Sequence, residues 1–154
     1  MLLNYVSEEK NKMNMYTKIL NDAQLTKNFK ISEMECHCGC ESVILHPDGI
    51  LLLQKIRDEF KKPIEVCSNY RCYSHNINIG GSPVSFHLQG MAWDIKVQGV
   101  DPLTVGRYAK DIGFHGVGVY THNGQRFTHV DIREKPVYWL DGVGLNNLIR
   151  VTGL

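Results

Sequence analysis

Two central segments of the chain carry hydrophobic residues at helical spacing. From Asp48 to Phe60, apolar side chains recur every three or four positions among polar ones, which predicts an amphipathic helix that ends before Pro63. A second helix is predicted from Asp101 to Asp111, because Asp101 can cap the first turn and Pro102 suits the first helical position. We expect both helices to flank a sheet.

Four other segments have the pattern of β-strands and are bounded by turn-forming residues. They are Ile64 to Ser68, Met91 to Val97, Gly116 to Tyr120 and Arg126 to Ile132. The Asn123-Gly124 pair between the last two favours a hairpin. The helices and strands together predict an α+β fold, in which a small, mostly antiparallel sheet is flanked by helices.

The N-terminal part of the chain has a different pattern. Residues 1–25 are rich in Asn, Lys and Glu, and their large hydrophobic residues recur at roughly helical spacing, which predicts one or two short helices. A length of 154 residues suits one compact domain. We therefore expect a helical extension at 1–25 and a single domain at 26–154.

Composition and charge exclude several classes of protein. The 17 Lys and Arg residues nearly balance the 16 Asp and Glu residues, and a net charge of +1 argues against a protein that coats nucleic acid or an anionic membrane. No stretch approaches the roughly 20 apolar residues of a membrane helix, and the N-terminus lacks the pattern of a secretory signal. We expect a monomer made in the cytoplasm, with no transmembrane segment and no nucleic-acid partner.

Histidine and aspartate residues indicate a metal site. His87 precedes the strand predicted at 91–97, Asp94 lies on that strand seven residues later, and His129 lies on the last predicted strand. Two imidazoles and one carboxylate form a donor set that catalytic zinc uses, with a fourth position left for water. Taken singly, His87 is more readily explained as an ordinary loop residue and Asp94 as a solvated strand end.

Joined as Ser-x-His-x-x-Gly-x-Ala-x-Asp over residues 85–94, these positions form a far more specific motif. The sequence resembles the D-alanyl peptidase branch of the zinc metallopeptidases, which includes D-Ala-D-Ala carboxypeptidases, phage L-alanyl-D-glutamate endolysins and, more remotely, lysostaphin and Hedgehog domains. The resemblance runs from about Leu25 to Trp139. It also includes Phe29–Cys36, Ser68–Cys72, His75–Asn76, Gly80–Gly81, Gly116–Tyr120 and His129–Arg133. It implies that His87, Asp94 and His129 bind zinc.

The general base does not follow from the resemblance, because many relatives carry a carboxylate three residues before the last ligand and this chain has Arg126 there. His129 and Asp131 are two residues apart on a strand and so share a face, which makes Asp131 the predicted general base. Asp131 could instead orient a ligand imidazole or pair with Arg133. His122 is the fallback proton shuttle, or simply an exposed turn residue.

Three more side chains could contact the substrate. Arg71, which follows a predicted strand, could bind a peptide carboxylate or stabilise an oxyanion, and the resemblance supports this role. The alternative is a structural ion pair. Tyr120 and Trp139 could line a groove or belong to the core.

The cysteines form a second cluster. Five is an odd number, and Cys36, Cys38 and Cys40 are spaced too tightly for an ordinary disulfide framework. The spacing indicates a second metal site that could include His37 and be completed by Cys72 or Cys67, although Cys-x-x-Cys is the usual zinc pattern. Reduced thiols, or a disulfide such as Cys36 to Cys72, are the alternatives.

The resemblance implies a zinc-dependent enzyme that hydrolyses an amide bond in the stem peptide of peptidoglycan. The chain could be a D-Ala-D-Ala carboxypeptidase or an endopeptidase, from a phage or prophage lysin or a bacterial wall-remodelling system. It would act on the cell wall after lysis or another route of release. Two alternatives stay open: a non-catalytic, metal-bearing binding module, which Arg126 favours, and a phage virion component whose first 25 residues dock on a partner.

Overall fold

The computed structural model describes residues 14–17, 22–122, 124–141 and 143–144. Within these ranges the three α-helices are α1 (Pro47–Phe60), α2 (Tyr73–Asn78) and α3 (Pro102–Asp111). The strands are β1 (Asn14–Thr17), β2 (Ser42–Leu45), β3 (Ile64–Ser68), β4 (Ala92–Val97), β5 (Gly116–Tyr120), β6 (Phe127–Asp131), β7 (Val137–Leu140) and β8 (Val143–Gly144). Short 3₁₀ turns cover Ile31–Met34 and Phe86–Gln89.

Six strands form the main sheet in the order β3-β4-β6-β5-β7-β8. Neighbouring strands are antiparallel, except that β5 and β7 run parallel. The predicted α+β fold with a mostly antiparallel sheet is therefore confirmed. The predicted hairpin between β5 and β6 is present, although Asn123 lies outside the described residues.

Both predicted helices are present, and their ends follow from local chemistry. α1 has Pro47 at its first position and ends at Lys61, whose φ of 52° is left-handed and whose N–H donates to the carbonyl of Arg57. α3 begins after Asp101, whose side chain accepts a hydrogen bond from the N–H of Leu103.

The core lies between the helices and one face of the sheet. Trp93 of β4 packs against α1 where Gly49 leaves room, since a Cβ there would lie 1.9 Å from the indole ring. Thr128 of β6 donates to the carbonyl of Pro102 in α3. Because side chains alternate along a strand, the neighbours of these residues, Asp94 and His129, face away from α1 and α3.

The helix predicted within residues 1–25 is wrong for Asn14–Thr17. This segment forms strand β1, which pairs antiparallel with β2. The local spacing of hydrophobic residues carries no information about a partner strand some 25 residues further along the chain. Most of the remaining predicted extension lies outside the described residues, and the boundary at residue 25 stays a prediction. None of the helices in the described ranges has the length and apolar character to cross a membrane.

Candidate metal centre

The structure brings the three predicted zinc ligands together. One ligand atom from each of His87, Asp94 and His129 lies within 4.8 Å of the others. Strands β4 and β6 are adjacent, and their register places Asp94 directly opposite His129. His129 Nδ1 lies 2.8 Å from Asp94 Oδ1, and His87 Nε2 lies 3.2 Å from Asp94 Oδ2. Residues far apart in the sequence thus converge through the sheet.

His87 is held by the 3₁₀ turn Phe86–Gln89. The Ser85 hydroxyl accepts a hydrogen bond from the N–H of His87 and caps this turn. Gly90 ends the turn with a φ of 65°, and a Cβ at Gly90 would lie 1.9 Å from the carbonyl oxygen of Ile44. Only glycine satisfies both the conformation and the close contact, which explains its place in the motif.

The tautomer of His87 follows from its partner. Its Nδ1 lies 2.7 Å from the carbonyl oxygen of buried Asn69. A carbonyl can only accept, so Nδ1 carries the proton and Nε2 presents a lone pair toward Asp94. Nε2 is buried and has no hydrogen-bond partner in the described structure. An unpartnered, buried nitrogen aimed at a carboxylate and a second imidazole is well suited to a metal ion.

His129 is oriented in a matching way. Its Nε2 donates to Asp131 Oδ2 at 2.9 Å, so that Nδ1 is the nitrogen that faces Asp94. An imidazole that donates its other N–H to a carboxylate is the usual support of a metal ligand. Burial alone would lower the pKa of His129, but the hydrogen bonds to Asp131 and Asp94 outweigh it and raise that pKa. Because each histidine turns one ring nitrogen toward the Asp94 carboxylate, the geometry of the donor set fits zinc.

Asp94 is a carboxylate that stays ionised. Burial alone would raise its pKa, but the interactions with His129 and His87 outweigh burial and hold the pKa well below its usual range. Arg71 adds a hydrogen bond from Nη2 to Asp94 Oδ2 at 3.0 Å. Metal ligands must be deprotonated, so an ionised Asp94 can bind a metal cation without first releasing a proton.

Asp131 lies next to His129 and is fully buried. Its side chain is 0% exposed. Oδ1 accepts hydrogen bonds from the backbone N–H and the Nε of Arg133, and Oδ2 accepts from His129. Burial alone would raise the pKa of Asp131, but the hydrogen bonds from Arg133 and His129 lower it to about 2. These contacts favour the orienting role over the predicted role of general base, which stays a prediction.

Glycines of β5 make room for this arrangement. Gly116 lies opposite Asp131 and Gly118 lies opposite His129 in the register of β5 and β6. A Cβ at Gly116 would lie 2.1 Å from the carboxyl group of Asp131, and one at Gly118 would lie 2.2 Å from the indole of Trp139. The alternation Gly-Val-Gly at residues 116–118 is the sequence signal for this crowded face of β5.

Arg71 joins the end of β3 to the site. Its Nε donates to Ser68 Oγ at 2.9 Å and its Nη1 approaches Asn76 Oδ1 at 3.4 Å, in addition to the contact with Asp94. The side chain is 13% exposed. A guanidinium has five N–H donors, so two donors remain for a substrate. Both predicted roles of Arg71, in substrate binding and in an ion pair, are compatible with this position.

Trp139 forms a wall beside the ligands. Its ring centroid lies 5.1 Å from that of His129, and its Nε1 donates to Tyr120 Oη at 2.9 Å. The guanidinium of Arg133 lies 5.3 Å from the Trp139 ring and 4.8 Å from the ring of Phe86. Of the two predicted locations for Trp139 and Tyr120, the structure therefore favours the edge of the site over the helix-covered core.

Two predicted positions lie outside the site. Arg126 is 64% exposed, and its Nη2 lies 3.9 Å from Asp101 at the start of α3. The position where many relatives carry a carboxylate is therefore turned toward a helix in this chain. His122 is 74% exposed and pairs with Asp141, which supports its description as an exposed turn residue.

A second group of ligands gathers away from this centre. The sulfur atoms of Cys36, Cys38, Cys40 and Cys72 all lie within 4.8 Å of one another. Cys72 thus completes the predicted cluster, whereas Cys67 and His37 do not take part in it.

Comparison with known proteins supports the resemblance. The profile of a protein family described as Peptidase M15 matches residues 27–131. This range contains all three predicted zinc ligands, Arg71 and the four clustered cysteines. A comparison with individual curated proteins gives no match.

Proposed function

Because the chain belongs to the Peptidase M15 family of zinc-dependent metallopeptidases, we propose that it hydrolyses an amide bond in the stem peptides of peptidoglycan. The proposal rests on one observation above the others. His87 and His129 each donate one ring N–H to a fixed acceptor and direct the other nitrogen toward Asp94. We propose these three residues as the ligands of the catalytic zinc.

Bound zinc lowers the pKa of a coordinated water toward about 7 and polarises a carbonyl group. The residues of the chain supply the orientation. The carbonyl of Asn69 holds the proton on His87 Nδ1, and Asp131 holds the proton on His129 Nε2. We propose Asp131 as a positioning residue, and the alternative, its predicted role as the general base, is tested by Asp131→Asn.

Arg71 is the residue we propose for contact with the substrate. Its guanidinium is anchored by Ser68 and Asp94 at the edge of the site, and it keeps donors free. A fixed guanidinium can bind a peptide carboxylate with two parallel hydrogen bonds or stabilise an oxyanion. A terminal carboxylate would be the target in a carboxypeptidase, and a carbonyl oxygen would be the target in an endopeptidase.

Digestion of purified cell wall, followed by mass spectrometry of the muropeptides, tests the proposal and identifies the bond. A carboxypeptidase releases only D-Ala from stem-peptide termini. An endopeptidase cuts within the stem or its cross-link and releases larger peptides. His87→Ala protein, purified in parallel, controls for contaminating hydrolases. Absence of any muropeptide change with zinc-loaded, folded protein would contradict the proposal.

A non-catalytic, metal-bearing binding module remains the second candidate. The observation that favours it is Arg126, which stands where many relatives carry a carboxylate and contacts Asp101 instead. Zinc-loaded protein that binds purified wall without producing new muropeptides would support this function. We also propose that the chain acts as a phage or prophage lysin and reaches the cell wall after cell lysis. The proposed hydrolysis of the amide bond is the same whatever the route of release.

A further inference from the structure

We propose that Cys36, Cys38, Cys40 and Cys72 form a second metal site, a structural zinc centre with four thiolate ligands. Four cysteines with no open position are the usual composition of a structural zinc site, in contrast to catalytic sites with three protein ligands. This centre is separate from the His87, Asp94 and His129 group and does not depend on the proposed peptidase function.

The distances between the sulfur atoms support a shared metal ion. Cys36 Sγ lies 3.4 Å from Cys38 Sγ, and Cys38 Sγ lies 3.6 Å from Cys72 Sγ. Four sulfurs placed tetrahedrally at about 2.3 Å from zinc are about 3.8 Å apart, whereas bonded disulfide sulfurs are about 2.05 Å apart. The described cysteines are all free thiols. The sulfurs are therefore gathered around one point and are not joined in pairs.

Backbone N–H groups point at these sulfurs. The N–H of Cys72 donates to Cys36 Sγ at 3.3 Å, and the N–H of His75 donates to Cys72 Sγ at 3.4 Å. Hydrogen bonds of this kind stabilise the negative charge that a metal-bound thiolate carries. The hydrogen bond from Cys72 to Cys36 also joins two separate segments, because Cys36 follows the 3₁₀ turn Ile31–Met34 and Cys72 precedes α2.

Burial does not explain the cluster. Cys38 and Cys40 are exposed, and Gly39 between them has a φ of 83°, so this loop turns at the surface. Free cysteines that serve as packing residues are normally buried. Three thiols that converge on a fourth from another segment are better explained by a ligand that they share.

The site would connect two parts of the fold. Its first three ligands follow the 3₁₀ turn Ile31–Met34, and its fourth directly follows Arg71. The same two segments also meet at the backbone, where the N–H of Tyr70 donates to the carbonyl of Met34 at 3.3 Å. A metal at this point would fix the backbone on one side of Arg71, whose guanidinium contacts Asp94.

The test uses His87→Ala protein, in which the catalytic metal is removed and the four thiols remain. Purified without added metal, this variant should contain about one equivalent of zinc. Replacement of that zinc by cobalt(II) should give the strong sulfur-to-cobalt charge-transfer absorption of a tetrahedral thiolate site. Adding Cys38→Ser and Cys40→Ser to the same variant should abolish both the zinc and the absorption, whereas adding Cys67→Ser should change neither.

Cys67 is the matched control because it is the one cysteine of the five outside the cluster. Thermal unfolding gives a second readout, since metal bound only by the folded chain stabilises it. The Cys38→Ser and Cys40→Ser chain should melt at a lower temperature than the Cys67→Ser chain. His87→Ala protein that is folded, contains no metal and shows no thiolate absorption with cobalt would overturn the proposal.

A disulfide between any two of the four cysteines, found by mass spectrometry of unreduced peptides from freshly purified protein, would also overturn it. The two proposals fail separately. Absence of wall hydrolysis by folded, zinc-loaded protein that retains His87, while the His87→Ala variant gives the cobalt thiolate spectrum, would contradict the peptidase function alone. Wall hydrolysis by the unaltered protein, with no thiolate spectrum in the His87→Ala variant that keeps all four cysteines, would contradict the structural site alone.

Discussion

His129 donates through Nε2 to Asp131 at 2.9 Å, and the two residues are neighbours on the same face of β6. The same carboxylate also binds Arg133 and is fully enclosed. The Asp131 side chain therefore orients the imidazole of His129, and both of its carboxylate oxygens already accept hydrogen bonds from protein groups. Asp131 has two candidate roles that the sequence does not distinguish. It could act as the general base, or it could orient the His129 imidazole that binds the metal.

Asp131→Asn distinguishes these mechanisms. We expect zinc affinity to fall by about 10- to 100-fold, as when the carboxylate partner of a ligand histidine is removed. Excess zinc should then restore most of the activity. Titration of activity against free zinc is the measurement. If Asp131 is instead the general base, turnover should fall by about 10² to 10⁴ at saturating zinc while affinity is unchanged.

His87→Ala should leave a folded protein without the catalytic metal. The lost side chain supplies one of three ligands and the buried Nε2 that has no other partner. Wall hydrolysis and one equivalent of metal should disappear together, as measured by muropeptide release and elemental analysis. His122→Ala is the control, because His122 is exposed and pairs with Asp141. A fall in turnover in that control, with metal retained, would restore His122 as a proton shuttle.

Gly116→Ala should damage the site without altering any ligand. The new Cβ would lie 2.1 Å from the carboxyl group of Asp131, and overpacking of this kind costs about 1 to 3 kcal/mol of stability. We expect a lower free energy of unfolding together with weaker zinc binding. Gly118→Ala is the comparison, since its Cβ would meet Trp139 and spare Asp131. Equal zinc affinity in Gly116→Ala and the unaltered protein would contradict this account.

Arg71→Lys tests the proposed contact with substrate. Lysine keeps the positive charge near Asp94 but loses the planar pair of donors. We expect kcat/KM for wall peptides to fall by about 10²- to 10³-fold, the usual effect of losing one donor to a developing oxyanion, with zinc content unchanged. Stopped assays on a defined stem peptide measure the change. Lower stability or weaker zinc binding, with unchanged kcat/KM at saturating zinc, would assign Arg71 to a structural ion pair.

Cys67 should react slowly with alkylating reagents at neutral pH. Burial, followed by the negative charge of Glu65, raises the pKa of its thiol to about 11, and only the thiolate is reactive. Since the raised pKa keeps the thiol protonated, the alkylation rate should rise roughly tenfold for each pH unit up to that pKa. Peptide mass spectrometry of iodoacetamide-treated native protein gives the rate. Labelling at neutral pH as fast as in unfolded protein would contradict the prediction.

The elements predicted best from the sequence are those set by local pattern. The bounds predicted for the strands Ile64–Ser68 and Gly116–Tyr120 match those of β3 and β5, because alternation and flanking turns are encoded within a few residues. Strand β1 was missed because it depends on pairing with β2. Strand β7 was missed because its parallel partner, β5, precedes it by more than a dozen residues.

In the candidate site, too, the features set by local sequence could be predicted, and those set by tertiary contacts could not. His87 and Asp94 were recognisable because they fall within one ten-residue motif. The support of His129 by Asp131, and of His87 by the carbonyl of Asn69, depends on where backbone segments meet. The fourth cysteine could not be chosen between Cys67 and Cys72 from the sequence, because the predicted end of β3 at Ser68 does not show that the chain then turns toward Met34.

The contact between Gly90 and β2 limits how the protein can be shortened. The N–H of His46, directly after β2, donates to the carbonyl of Gly90, so the end of β2 touches the turn that carries His87. β1 covers one edge of β2. A chain cut to begin at residue 26 would keep the family-matched region but leave that edge unpaired, and exposed edges promote aggregation. Expression trials should therefore keep the residues of β1, even where only catalysis is of interest.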